Sequence, residues 1–127
     1  MARRVSPEAQ ERLSADRELA DRLADLLDSA AEADEELRAA QASRKPEPEV
    51  RALAMRLDDA LTEAMRAAYA RRRVEIGPRG YDDWIYRRAR MAKPAVKLWT
   101  AEAERLLTLR EEHRLTGVPR LPIPRAS

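Results

Sequence analysis

Three features of this 127-residue chain predict an all-α fold. Apolar residues recur at alternating spacings of three and four through each long segment, which is the period of one helix face. Prolines and glycines gather between those segments, where helices must stop. No segment alternates apolar and polar residues over the length of a strand. The expected architecture is a long antiparallel helical hairpin, one or two shorter C-terminal helices and an extended Pro-rich tail, in a single helical domain spanning 1–127.

The first helix is expected over 6–42. Ser6-Pro7-Glu8 supplies a hydroxyl N-cap, a proline at the first helical position and an acid beside the positive dipole end. Leu19, Leu23, Leu26, Ala30, Ala33, Leu37 and Ala40 then form a heptad-like seam of coiled-coil type. Ser14-Ala15-Asp16 offers an alternative start within that span. Lys45-Pro46-Glu47-Pro48 ends it, because the prolines remove donors and push their predecessors out of helical geometry.

A second helix is expected over 48–74, with Val50, Leu53, Leu57, Ala60, Ala64 and Ala67 on its seam and Leu61, Met65 and Ala68 widening it. The short connection favours antiparallel neighbours, and alanine on both seams favours close approach. Gly77-Pro78-Arg79-Gly80 reads as a turn. A short helix over 81–92 follows, broken at Lys93-Pro94. The last helix is expected over 94–115, with Val96, Trp99, Ala103, Leu106 and Leu107 on one side. Thr116-Gly117 ends it, and the three prolines beyond favour an extended arm over 116–127.

Composition narrows the function classes. The chain has no Cys, so disulfides and thiolate metal sites are absent. No run reaches the roughly 18 apolar residues of a membrane span, and the charged opening is not a signal peptide. A soluble, cytoplasmic protein with no membrane partner is the expectation. There is no Phe, and much of the apolar content is alanine. So thin a core favours burial against another copy or another protein.

The net charge of +2 conceals an asymmetry. Residues 1–42 hold six Arg against eleven acids, whereas 43–127 hold nineteen Lys or Arg against twelve acids. The two halves are therefore able to neutralise each other, or to meet different partners.

Catalytic and metal residues are expected to be absent, as are cofactors. His113 is the only histidine, and it is expected to be partly exposed near a helix C-terminus, where its charge suits the dipole. Glu32 and Glu35 are similar to the Glu-x-x-Glu of the all-α nucleotide pyrophosphatases, which hold magnesium with acidic side chains. Their second motif, Glu-x-x-Asp, is not matched, since Arg56 stands three residues before Asp59. That puts the magnesium site, and with it the activity, outside what the resemblance implies. Trp99-Thr100-Ala101-Glu102-Ala103-Glu104-Arg105-Leu106-Leu107-Thr108-Leu109 resembles the opening helix of a Myb/SANT repeat. The prolines after Leu115 leave no room for its recognition helix, so sequence-specific DNA reading is not implied.

The strongest functional signal is residues 66–97, where ten basic side chains stand against three acids and four of the five aromatics lie, Trp99 following two residues on. Arginine forks among flat rings suit a phosphate backbone or an acidic protein. The expected function is a non-enzymatic binding protein engaging DNA or RNA, or a nucleoprotein complex, through Arg71, Arg72, Arg73, Arg79, Tyr86, Arg87, Arg90, Lys93 and Lys97. Tyr86, Arg90 and Lys93 are expected to form an outward ridge, with Tyr86 stacking on a base or sugar. Tyr81, Trp84 and Trp99 are expected in the core. The alternative is a structural adaptor or small subunit of an oligomeric assembly, similar in general architecture to phage connector and small terminase subunits. It would dock through its hairpin and through Pro119, Leu121, Pro122 and Ile123 of the tail.

Overall fold

The structure, a computed structural model, describes residues 5–116 and residue 126. Those residues form five α-helices and no strand: α1 (Pro7–Asp21), α2 (Leu23–Ala42), α3 (Glu47–Ile76), α4 (Trp84–Arg90) and α5 (Pro94–Thr116), with one 3₁₀ turn, Pro78–Tyr81, before α4. No helix among them is long and apolar enough to cross a membrane.

At the first helix start, the Ser6 hydroxyl accepts from the Ala9 N–H at 3.1 Å, and Pro7 opens α1. The segment expected as one helix over 6–42 is jointed at Arg22, whose N–H bonds to the Leu19 carbonyl in a 3₁₀-like step. The joint lies where the seam residues Leu19, Leu23 and Leu26 turn onto α3, and no proline or glycine marks it.

α2 ends in a Schellman motif. Lys45 N–H reaches back to Ala40 O and Arg44 N–H to Gln41 O, while Arg44 takes the left-handed conformation at φ 51°. An L side chain is disfavoured there, so Arg44→Gly should raise stability by roughly 0.5–1 kcal/mol. A urea titration reads this as a higher midpoint at constant slope, and a lower midpoint would count against it.

α3 is the central helix, flanked by α1 and α2 on one side and α5 on the other. α2 runs antiparallel to it, with Glu36 on Arg56, while Asp16 of α1 meets Arg73. α5 also runs antiparallel, with His113 on the Ala54 carbonyl and Arg114 on Asp58. Serving neighbours on two sides requires a wide apolar stripe, and Leu57, Leu61, Ala64, Ala67, Ala68 and Ala70 are all fully buried. Among the described residues the largest fully buried side chains are Leu37, Leu57, Leu61, Leu106 and Val96. Alanine fills the rest, allowing backbones to approach closely in place of bulky interdigitation.

Gly77 closes α3 at φ 99°, a conformation that suits glycine, and Pro78 begins the 3₁₀ turn. The next glycine is needed for space: a Cβ on Gly80 would lie 2.4 Å from the Ile76 side chain. This tight packing pins the turn against the end of α3 and fixes where α4 emerges.

Candidate nucleic-acid interface

α4 begins where Asp83 caps it, its carboxylate accepting from the Tyr86 N–H at 3.0 Å. The helix contains Arg87, Arg88 and Arg90, has no acid, buries no residue and packs mainly on the 3₁₀ turn. Trp84 and Ile85 are 60% and 65% exposed, so the expectation of a core Trp84 is corrected. Among the described residues nothing covers Trp84 or Ile85 at the start of so short a helix. Trp99, in contrast, packs partly buried against the core.

The orientation of α4 also differs from the expected outward ridge. Trp84, Ile85 and Arg88 face solvent, while Tyr86 and Arg90 are the more sheltered side chains. The reason is a cation–π cluster: the guanidinium groups of Arg79 and Arg90 lie 4.7 Å and 5.8 Å from the Tyr86 ring centroid. A base stacking on Tyr86 would compete with these cations. Arg79 is held further by Asp83 at 3.5 Å, and Arg87 donates to the Gly80 carbonyl at 2.9 Å.

The arginines at the end of α3 are engaged inside the molecule. Arg71 pairs with Glu75 at 2.7 Å and lies over Trp99, and Arg72 lies over Tyr69. Arg73 grips Asp16 with two bonds of 2.8 and 3.0 Å. The Tyr81 hydroxyl donates to the same carboxylate, and Arg12 lies over the Tyr81 ring. Burial alone would raise the Asp16 carboxyl, but the bonds from Arg73 and Tyr81 and the charges of Arg73 and Arg12 hold it below the ordinary range. Burial and the bond to Asp16 together push the Tyr81 phenol upward.

Lys93 and Lys97 are exposed at the entrance to α5, as is Arg88 on α4, and none of the three makes an ion pair among the described residues. Arg88 was not among the expected site residues. Its signal was present in the sequence, since no acid lies one helical turn away on either side. The Asp16–Arg73–Tyr81 cluster spans sixty-five positions and left no local signal.

His113 is 5% exposed, which corrects its expected partial exposure. Its seam spacing from Leu106 and Leu109 turns it onto α3, where Nε2–H donates to the Ala54 carbonyl at 2.7 Å. The neighbouring Asp58 is held below the ordinary carboxylate range by the Arg114 bond, against a smaller opposing effect of burial. Among the described residues no three His, Asp or Glu side chains gather to hold a metal ion. Pro119, Leu121, Pro122 and Ile123 lie outside the described residues. No protein-family model, curated protein or solved structure matches the chain.

Proposed function

We propose that the protein is a non-enzymatic helical binding protein that engages DNA or RNA, alone or within a nucleoprotein complex, through α4 and the start of α5. The observation that carries this is α4 itself: three arginines, no acid, no buried residue, and Lys93 and Lys97 following within two turns. Arg87, Arg88, Lys93 and Lys97 would neutralise phosphates, with Arg79 and Arg90 held ready on Tyr86. Arg71, Arg72 and Arg73 would act mainly by supporting the end of α3 from which this surface projects. Phosphate contacts position a protein without reading sequence, so binding would be salt-dependent and weakly specific.

The test is fluorescence anisotropy of labelled single- and double-stranded oligonucleotides across a salt series. Changing Arg88, Lys93 and Lys97 together to Ala should leave helicity intact, because all three are exposed and unpaired among the described residues. It should reduce the slope of log affinity against log salt by about two to three, depending on the strand form. Absence of binding by the unaltered chain at low salt would sink the proposal.

A second function is favoured by one observation, the exposure of Trp84 and Ile85 beside the same arginines. In an adaptor or small subunit of an oligomeric assembly, that pair would anchor an acidic protein partner. Trp84→Ala would then abolish partner capture while leaving nucleic-acid retention unchanged.

A further inference from the structure

A groove of about 610 Å³ lies between the α1–α2 joint and the first half of α5. It exists because α2 and α5 pack mainly on α3. Its walls are apolar, with Leu23 and Leu27 on one side and Leu98 and Trp99 on the other, and Leu98 is 66% exposed. Ala126 of the same chain also lines it, and the Ala126 N–H donates to the Asp28 carboxylate at 3.2 Å.

We infer that this groove is the seat of the chain's own C-terminal arm, residues 117–125, which lie outside the described residues. Reach is the first argument. The α5 residues that line the groove, Leu98 to Arg105, precede Thr116 by eleven to eighteen positions, about 17–27 Å back along the helix. Ten residues in the polyproline II form span about 31 Å, so one chain's arm covers the distance to Ala126 without a second copy. Chemistry is the second. Val118, Leu121 and Ile123 offer apolar side chains, while Pro119, Pro122 and Pro124 have no N–H to leave unsatisfied against an apolar wall. Trp99 supplies the aromatic surface on which proline-rich segments dock, and their restricted backbone lowers the entropy lost in docking. Charge is the third. The groove rim itself carries both signs, since Glu102 pairs with Arg105 and Arg22 is exposed beside Asp21. The acids that matter lie on the way in from Thr116. Glu112 follows Arg105 two turns on along one face of α5, and Asp28 and Glu35 are two turns apart on α2, whose only base, Arg38, pairs with Asp34. The arm brings Arg120 and Arg125 and no acid, and Arg125 is the residue before Ala126, whose N–H is already on Asp28. The inference does not rest on nucleic-acid binding, because α4 takes no part in the groove.

The chain has no Cys, so introduced pairs report position without interference. Asp28→Cys with Ala126→Cys should form a disulfide within one chain on mild oxidation. Arg66→Cys with Ala126→Cys should not, since Arg66 is exposed on another side of α3. Occupancy of the groove is read from Trp99, the one tryptophan left in a Trp84→Phe background. Removing 118–127, or changing Leu121 and Ile123 together to Asp, should shift its emission to longer wavelength and steepen its quenching by acrylamide, with helicity unchanged. Emission indifferent to both changes would overturn the inference and leave the groove to an outside ligand. So would a disulfide that forms only between two chains, or one that forms equally well in the Arg66→Cys control.

Discussion

Leu61→Ala should lower the unfolding free energy by about 2–5 kcal/mol, toward the upper end of that range. Leu61 is fully buried in α3 and belongs to the core cluster that joins α2, α3 and α5. Truncation removes the transfer free energy of the leucine and leaves a cavity in its place. In a core rich in leucine, neighbouring side chains partly collapse into such a cavity. Here the buried residues along α3 are mostly alanines, including Ala64, Ala67 and Ala68, which have no rotamers with which to close it. The backbones would have to move instead, and α3 is gripped from both sides. With so few large buried side chains, one leucine is also a large share of a marginal total. Urea unfolding should show a much lower midpoint at unchanged slope. Leu115→Ala is the matched control: at 85% exposure it should change stability by no more than roughly 0.5 kcal/mol. Equal effects at the two positions would refute the central placement of α3.

The parts of this fold legible in the sequence are those fixed by local periodicity. The seam Leu23, Ala30, Ala33, Leu37 and Ala40 is buried along α2, and Leu57, Ala64 and Ala67 along α3, because a three-four spacing has one physical meaning. The Ser6 cap and the Gly77 turn were legible for the same reason. The joint at Arg22 was not, since it arises from packing on α3 and no helix breaker announces it. Nor was the orientation of α4. Seven residues are too few for a periodic pattern to decide a face, and the deciding contacts are the Asp83 cap and two guanidinium groups over Tyr86. The basic segment was visible as composition. Which of its cations stay unpaired depended on partners such as Asp16, fifty-seven positions from Arg73, and no local pattern reports a contact that distant.

Asp16→Ala should cost roughly 1–3 kcal/mol and should change the shape of the stability–pH curve. The carboxylate accepts both bonds from Arg73 and the Tyr81 hydroxyl, so its removal leaves a guanidinium and a phenol on part-buried sites without their acceptor. Arg73 keeps about a third of its side chain in solvent, which places the cost well below that of a fully buried pair. The pH dependence has a definite sign. The Asp16 carboxyl is held below its ordinary value in the native state, so near and below pH 4 the unfolded chain binds its proton first. Its stabilisation is complete above that region and is lost as pH falls through the native value. The gap between unaltered and variant chains should therefore close on the acid side. Asp58, lowered by Arg114, also titrates there, so some acid sensitivity should remain after Asp16 is gone. The alkaline side behaves oppositely. The Tyr81 phenol is raised, so its contribution is complete below about pH 10 and is lost at higher pH as the unfolded chain ionises first. Tyr81→Phe should flatten that alkaline arm and only weaken the acid one, since Arg73 still lowers Asp16 after the Tyr81 bond is lost, while Asp16→Asn should remove the acid-side contribution of Asp16 and keep part of the geometry. Urea midpoints measured across pH for the three variants separate these effects. An acid arm unchanged by Asp16→Asn would mean that the carboxylate is not what fastens α1 to the end of α3 and the turn that carries α4.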